Sequence, residues 1–370
     1  MAFSGASAPK ISVDNVNKAL RDPVIYRCNH QPHHRTGSLW KIYPTYDFCA
    51  PYLDSAEGVT HALRTNEYRD RNPQYHWIQN ALGVRPVEIW DFSRLSFVRT
   101  VLSKRKLVKF VDENIVWGWN DPRMPTVRGI RRRGCTIPAL REFILKQGPS
   151  QNIVNMDWTQ FWAVNKKYID PIAARYTAIP KLDVVTAYID GFGETSSAQR
   201  PKHKNPDLGT KEVVFAKEIL IAQDDARFFK DGEVITLMNW GNAIISSIGT
   251  DPKTGAVLAI QLKLDLKSDP KKTEKKITWL AKEPRNMVPV NIYFFDHLMT
   301  KDKIEKDDDI SLLLTKRREF CIEVWADCNI SRLRADDIIQ FDRTGYFRVD
   351  QAYGKGLPAV LFNIPTGKGA

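Results

Sequence analysis

At 370 residues the chain is long enough for two or more domains that each bury a core of their own. Its 55 lysines and arginines against 43 aspartates and glutamates leave a formal charge of +12, which points to a polyanionic partner, nucleic acid before anionic membrane. No apolar run of roughly 18 residues occurs and MAFSGASAPK has no apolar segment of signal length, so neither a membrane-spanning nor an exported chain is expected. Cys28, Cys49, Cys135, Cys321 and Cys328 are odd in number and scattered, as suits free thiols in a reducing cytosol.

Residues 1–9 are rich in Ala, Ser and Gly and are expected to be disordered or a tag. Cys28-Asn29-His30-Gln31-Pro32-His33-His34 offers metal-ligating residue types. Zinc sites draw on two separated ligand pairs, however, and no second pair is near, so a polar turn and no metal is the expectation. Ile42 to Phe48 reads as a short strand into a turn. In the stretch from there to Thr65, residue type alone predicts a buried tyrosine and a capped helix. Glu67 to Gly83 reads as a helix, with Trp77, Ile78, Ala81 and Leu82 at helical spacing and Gly83 as its stop.

Val87 to Phe92 suits a half-buried strand. Leu102-Ser103-Lys104-Arg105-Lys106-Leu107 then packs three adjacent cations behind a hydroxyl. A basic loop of this kind can grip a triphosphate, because fixed cations count most where negative charge gathers in the transition state. Taken alone, the same residues are better read as a solvated charge run, since most such runs are simply exposed. Trp117 to Gly134 is the most cationic segment, and its Arg128 and Arg131 either track phosphates or pair with local carboxylates. Pro138 to Lys146 reads as an amphipathic helix with Leu140, Phe143 and Ile144 on one face. Met156 to Tyr168 reads as another, whose Trp158, Phe161, Trp162 and Asn165 are core.

From about Ile179 the period changes. Short β-rich runs at Lys181–Ile189, Val213–Ile221, Glu233–Leu237, Val257–Leu264, Ile277–Leu280, Val290–Phe295, Phe320–Trp325, Asp337–Phe341 and Ala359–Ile364 are split by turn residues and charges. Many short strands and few helices predict an all-β barrel or sandwich. Asp302 to Asp309 reads as a solvated acidic loop.

Trp90-Asp91-Phe92-Ser93-Arg94-Leu95 followed by Val101-Leu102-Ser103-Lys104-Arg105-Lys106 resembles the Lys-Met-Ser-Lys-Ser region of class I aminoacyl-tRNA synthetases. The match is to the Ser-Lys-Arg-Lys form of the glutamyl/glutaminyl branch. The similarity, to the eukaryotic and archaeal glutamyl-tRNA synthetases in particular, runs from about Lys10 to about Pro365. It implies a multidomain fold, α/β plus all-β. Residues 10–112 would be the second half of a Rossmann-type catalytic domain with the end of an acceptor-binding insertion. Residues 113–178 would form a helical connector, and 179–370 two anticodon-binding β-barrels, the distal one (roughly 225–285) inserted in the proximal one. None of the histidines (30, 33, 34, 61, 76, 203, 297) sits in a His-Ile-Gly-His tetrapeptide, so the first half of the nucleotide-binding fold is expected to be absent. A chain of this kind is expected to bind tRNA and to be weakly active or inactive alone.

The resemblance also implies roles. Lys104, with Ser103 and Arg105, would stabilise the α-phosphate as an adenylate forms, and Arg94, Leu95 and Leu102 would complete the ATP contacts. Tyr46, Asp47 and Arg64 would hold glutamate, with Arg64 standing where the glutaminyl enzymes carry cysteine. A planar guanidinium can pair with a carboxylate but is left unpaired against a neutral amide, so Arg64 favours glutamate over glutamine. Asp70 would read the acceptor-stem minor groove. Arg128, Arg131, Asn239, Trp240, Lys275 and Lys276 would contact tRNA, with Trp279 beside the last two. Asn120 departs from the family's Trp-Asp-Asp-Pro-Arg connector. The implied partners are tRNA(Glu), glutamate and ATP with Mg2+ as substrate, and no permanent cofactor. Other synthetases or a tRNA-binding accessory protein could join through the missing N-terminal region. The implied location is the cytoplasm, with no membrane contact. The alternatives are a glutaminyl-tRNA synthetase and a non-catalytic tRNA-binding module.

Overall fold

Residues 6–305 and 307–367 are described by a computed structural model, in which the chain falls into two units. One is Met1–Ser96 with Gln147–Met156, the other Phe97–Lys146 with Asp157–Ala370.

In the first unit, Ala6–Ser7, Tyr26–Cys28 and Ile42–Pro44 form a small antiparallel sheet. Residues 1–5 lie outside the described residues, and the rest of the 1–9 segment corrects the expectation of disorder, because Ser7 O accepts from Ile25 N at 2.8 Å. Helix α1 (Tyr46–Ala56) follows. His61–Thr65 and Glu88–Phe92 pair in parallel. Residues 147–156 join this unit through their carbonyls. Ser150 O accepts from Ser93 N at 2.8 Å, and Gln151 O from Asn66 Nδ2 at 2.6 Å.

The helix expected over Glu67–Gly83 is two pieces, a 3-10 turn Asn66–Arg71 and α2 (Asn72–Ala81). Pro73 is the reason, since its ring fits only the first turn of an α-helix. Gly83 does end the helix, at φ +65°. The buried face is Gln74, Tyr75, Ile78 and Gln79, while Trp77 is partly exposed. Gln79 earns its burial by hydrogen bonding, donating from Nε2 to Pro51 O at 3.1 Å and accepting from Val87 N at 3.2 Å.

The second unit begins with helices. The basic run is the first turn of a helix, α3 (Lys104–Asp112), whose Leu107 and Phe110 pack with Val101, Val116, Met124, Leu298 and Met299. Helix α4 (Val127–Arg132) is capped by Thr126, whose Oγ1 accepts from Gly129 N at 2.9 Å. A Cβ on Gly129 would meet Asp121 O and Met124 O at 2.5 Å, so only glycine fits there. Helix α5 (Ile137–Gln147) buries Ala139 and Phe143. Ile144, expected on the same face, is half exposed because the helix contacts its neighbours over a narrower stripe. Helix α6 (Trp158–Ile169) carries the expected core face, with Phe161, Trp162 and Asn165 buried. Asn165 is satisfied throughout: Oδ1 accepts from Thr136 N at 2.9 Å and Nδ2 donates to Gly134 O at 3.0 Å.

Two seven-stranded sheets complete this unit. The first comprises Val184–Ile189, Glu218–Ala222, Val234–Leu237, Gly241–Thr250, Val257–Asp265, Lys276–Ile277 and Trp279–Ala281, and it wraps a core that includes Val185, Ile219, Ile235, Ile245 and Leu262. The second comprises Ala174–Tyr176, Ala178–Pro180, Val288–Phe295, Glu319–Ala326, Ile338–Phe341, Gly345–Gln351 and Ala359–Ile364, around Val290, Ile339, Phe347 and Leu361. Each is a nearly closed barrel, and the first interrupts the second in sequence. The inserted barrel begins at Val184 rather than near 225, because Val184–Ile189 is central in its sheet, between Val257–Asp265 and Glu218–Ala222. The expected strand Val213–Ile221 is two strands, Thr210–Phe215 and Glu218–Ala222. The acidic stretch from Asp302 is pinned by ion pairs, Asp302 with Arg99 at 2.8 Å and Asp308 with Lys301 at 2.8 Å.

Candidate functional site

Tyr46 and Asp47 start α1, Arg64 is the penultimate residue of the strand His61–Thr65, and Gln74 and Tyr75 lie on α2. Arg64 is half-buried, with its guanidinium carbon 5.8, 5.1 and 5.4 Å from the ring centres of Tyr46, Tyr68 and Tyr75. Such contacts hold a cation without neutralising it. Its Nε is buried and unpartnered, and no carboxylate pairs with Arg64 among the described residues. Asp47 receives Arg71 on Oδ2, while its Oδ1 is buried without a partner. Gln74 Nε2 is also buried and unpartnered. Tyr75 donates to Asp54 at 2.8 Å, and burial followed by that carboxylate pushes its phenol well above the ordinary range. Around a cleft with almost no free volume, Arg64 Nε, Asp47 Oδ1 and Gln74 Nε2 are thus left without hydrogen-bond partners.

Arg71, Gln74 and Tyr68 were not legible as pocket residues in the sequence. Gln74 and Tyr75 carried one signal, polar or amphipathic residues on the inward side of a helix. Asp70 is exposed, and its backbone carbonyl accepts from Asn17 Nδ2.

Arg94 and Leu95 belong to the first unit. Arg94 is largely exposed and pairs with Glu67 at 2.5 Å. The Glu67 carboxyl is held below its ordinary range by the Thr65 side chain first and by Arg94 as well. Leu102, Ser103, Lys104 and Arg105 belong to the second unit, and all four are exposed. Ser103 occupies the cap position of α3, yet its side chain makes no cap bond. No acidic residue occupies the first turn, and neither Lys104 nor Arg105 has an ion pair among the described residues. Free N–H groups, the positive end of the helix dipole, a hydroxyl and two unpaired cations coincide here, an arrangement whose electrostatics favour an anion.

Of the arginines after Trp117, the structure separates structural from available ones. Asp121 is fully buried and accepts from Trp117 N at 2.8 Å and from Arg123 Nε at 2.9 Å. Arg132 pairs with Asp350 at 2.7 Å. Arg128 and Arg131 are exposed on α4 and carry no ion pair among the described residues.

In the inserted barrel, Asn239 is exposed with φ +64°. Trp240 is half-buried against Phe192, Phe215 and Trp279. Trp279, expected beside the RNA-facing loop, is core, with Nε1 donating to Met238 O at 2.8 Å. Lys275 is spent on Glu233 at 2.7 Å, whereas Lys276 is exposed.

The chain matches three family models. Residues 10–171 match the catalytic domain of tRNA synthetases class I (E and Q), and residues 173–265 and 276–350 match two anti-codon binding domains of the same class. It is 55% identical over 361 residues to a probable cytoplasmic glutamate–tRNA ligase of Schizosaccharomyces pombe, covering 97% of this chain and 50% of the relative. It is 52% identical over 363 residues to the cytoplasmic glutamate–tRNA ligase of Saccharomyces cerevisiae, with the same coverage of each. A bifunctional glutamate/proline–tRNA ligase of Mus musculus is 43% identical over 366 residues, which are 97% of this chain and 24% of the relative. The chain thus spans about half the length of the first two.

Proposed function

Because the chain belongs to the class I tRNA synthetases of the glutamate and glutamine branch, we propose that it is the glutamate-selecting and anticodon-binding portion of a glutamate–tRNA ligase. The observation that carries the choice of glutamate is Arg64, a half-buried guanidinium among three tyrosine rings with no carboxylate partner. A glutamate side chain supplies that partner, and a glutamine amide leaves the charge uncompensated. Asp47 Oδ1 is then free to accept from the substrate ammonium.

ATP is the second substrate, with Mg2+ carried on its phosphates. The glutamate α-carboxylate attacks the α-phosphate itself and displaces pyrophosphate as the bond between the α- and β-phosphates breaks, so no protein nucleophile is needed and catalysis is positioning plus charge stabilisation. Lys104 at the free N-terminus of α3 takes the charge that develops on the phosphate, assisted by Ser103 and Arg105, while Arg94 contacts the nucleotide. A ribose hydroxyl at the 3′ end of tRNA(Glu) then attacks the activated carbonyl, forming the ester and releasing AMP. Arg128, Arg131, Asn239 and Lys276, all exposed, would contact RNA, and Asp70, also exposed, the acceptor stem. Trp240 and Lys275 serve the barrel first. A cytoplasmic location accords with the names of the relatives, and no helix among the described residues is long and apolar enough to cross a membrane.

The test is binding of tRNA(Glu), tRNA(Gln) and an anticodon mutant of each at two salt concentrations. Preference for the intact tRNA(Glu) anticodon at both is the expected result. Equal, steeply salt-dependent binding to all four would reduce the chain to a basic surface.

A further inference from the structure

A cavity of about 450 Å³ opens in the second unit where α3, α4 and α6 meet the strand Val288–Phe295. Trp158, Trp162 and Phe295 give it aromatic walls, and Arg133 and His297 are also among its lining residues. Neither Lys104 nor Arg105 lines it, and nothing in the aminoacylation described above uses it. Its volume falls in the range of small-molecule sites, roughly 300–1,000 Å³.

The cations around the cavity differ in how they are satisfied. Arg99 donates from Nε to Asp302 at 2.8 Å. Arg123 pairs with Asp121 at 2.6 Å and Glu319 at 3.0 Å. Arg133 has no carboxylate within ion-pair distance among the described residues. Its Nη2 donates to Phe295 O at 2.8 Å, and its Nε is buried without any partner. Its guanidinium carbon lies 5.7 Å from the Trp162 ring centre and 5.8 Å from that of Phe295. Burial pushes the Arg133 guanidinium down to about 10, which leaves it charged at neutral pH. Burial first, and Arg133 second, hold His297 below the ordinary imidazole range, so it adds hydrogen-bonding capacity without charge.

We infer that this cavity binds a small organic anion with an aromatic body, its carboxylate or phosphate held by Arg133 and its ring set against Trp158, Trp162 and Phe295. An unpaired buried guanidinium is costly, and a planar anion relieves that cost through charge-assisted bonds. The aromatic walls reward a flat apolar body over a bare inorganic ion.

Calorimetric titration of the chain with phenyl phosphate, benzoate, inorganic phosphate and benzyl alcohol tests this. Phenyl phosphate, benzoate or both should bind at one site, with inorganic phosphate and benzyl alcohol at least about tenfold weaker. Arg133→Gln should weaken the aromatic anions by about tenfold or more. Thr344→Trp, on the exposed rim of the cavity, should block them, and Lys104→Ala should leave them bound. If Arg133→Gln does not fold, the rim variant decides. The inference is overturned if neither aromatic anion binds, if binding survives Thr344→Trp, if it is lost in Lys104→Ala, or if inorganic phosphate binds as tightly.

Discussion

Replacing Arg64 with alanine tests the pocket most directly. The guanidinium has no carboxylate partner before substrate arrives, so its removal does not strand a buried anion. Breaking a structural buried pair costs about 3–5 kcal/mol, because one charge is left uncompensated. Arg64→Ala forfeits instead the contacts with three tyrosine rings at 5.1–5.8 Å. At a half-buried site these together are worth about 1–2 kcal/mol. Binding should suffer more. A charge-assisted hydrogen bond contributes about 1.5–3 kcal/mol, so glutamate affinity should fall by roughly 10- to 150-fold. Glutamine binding should change little, and Arg64→Cys should likewise narrow the preference between the two amino acids. Calorimetric titration with each amino acid, alongside urea unfolding, reads both quantities. Unchanged glutamate affinity in a folded Arg64→Ala chain would refute the reasoning. So would a stability loss above about 3 kcal/mol, which would mark Arg64 as structural.

Four further outcomes are expected. Lys276→Ala should lower the salt-dependence slope of tRNA binding by about one unit, while Lys275→Ala, which removes a partner of Glu233, should leave that slope unchanged. Asp121→Ala strands Arg123, which is 4% exposed, and should destabilise the second unit by about 3 kcal/mol in urea unfolding, with Glu319 limiting the loss. Asn165→Ala leaves Thr136 N and Gly134 O without their partner and should cost about 2–3 kcal/mol by the same measurement. Glu142 is held down to about 2 by Lys146, Tyr168 and Lys167 in that order. Its folded value lies below the unfolded one, so its stabilisation is present above about pH 4.5 and lost as pH falls toward 2; acid unfolding of Glu142→Gln should lack that component.

The sequence was most legible where one local rule decided the outcome. Short β-rich runs bounded by turns announce an all-β second half, with the count of two barrels coming from the family resemblance, and apolar spacing gives the face of α6. It was least legible where distant pairing decides. Gly241–Thr250 is ten residues long and went unrecognised, because two glycines and two serines dilute its pattern and its register shifts between Ile245 and Ser247. The early start of the inserted barrel was hidden for a related reason, since the neighbours of Val184–Ile189 arrive much later in the chain. At the candidate site, Arg64 was visible as a residue type at a telling position. The unspent bonds of Gln74 and Asp47 were not, because they depend on what α2 turns inward. Lys275 and Lys276 look alike in sequence, and only the position of Glu233 distinguishes them.

The interruption of one barrel by the other imposes a schedule on the chain. Arg175 and Gln340 are register partners and share a hydrogen bond at 3.0 Å, yet they are 165 residues apart. As the chain leaves the ribosome at about 5–20 residues per second, Ala174–Tyr176 waits many seconds for its partner. In that interval the inserted barrel can form from strands that are already made. Its completion brings Pro180 and Val288 toward each other and shortens the loop that the outer barrel must close. Damage to the inserted core, at Ile235 or Leu262 for instance, should therefore slow closure of a barrel that contains neither residue.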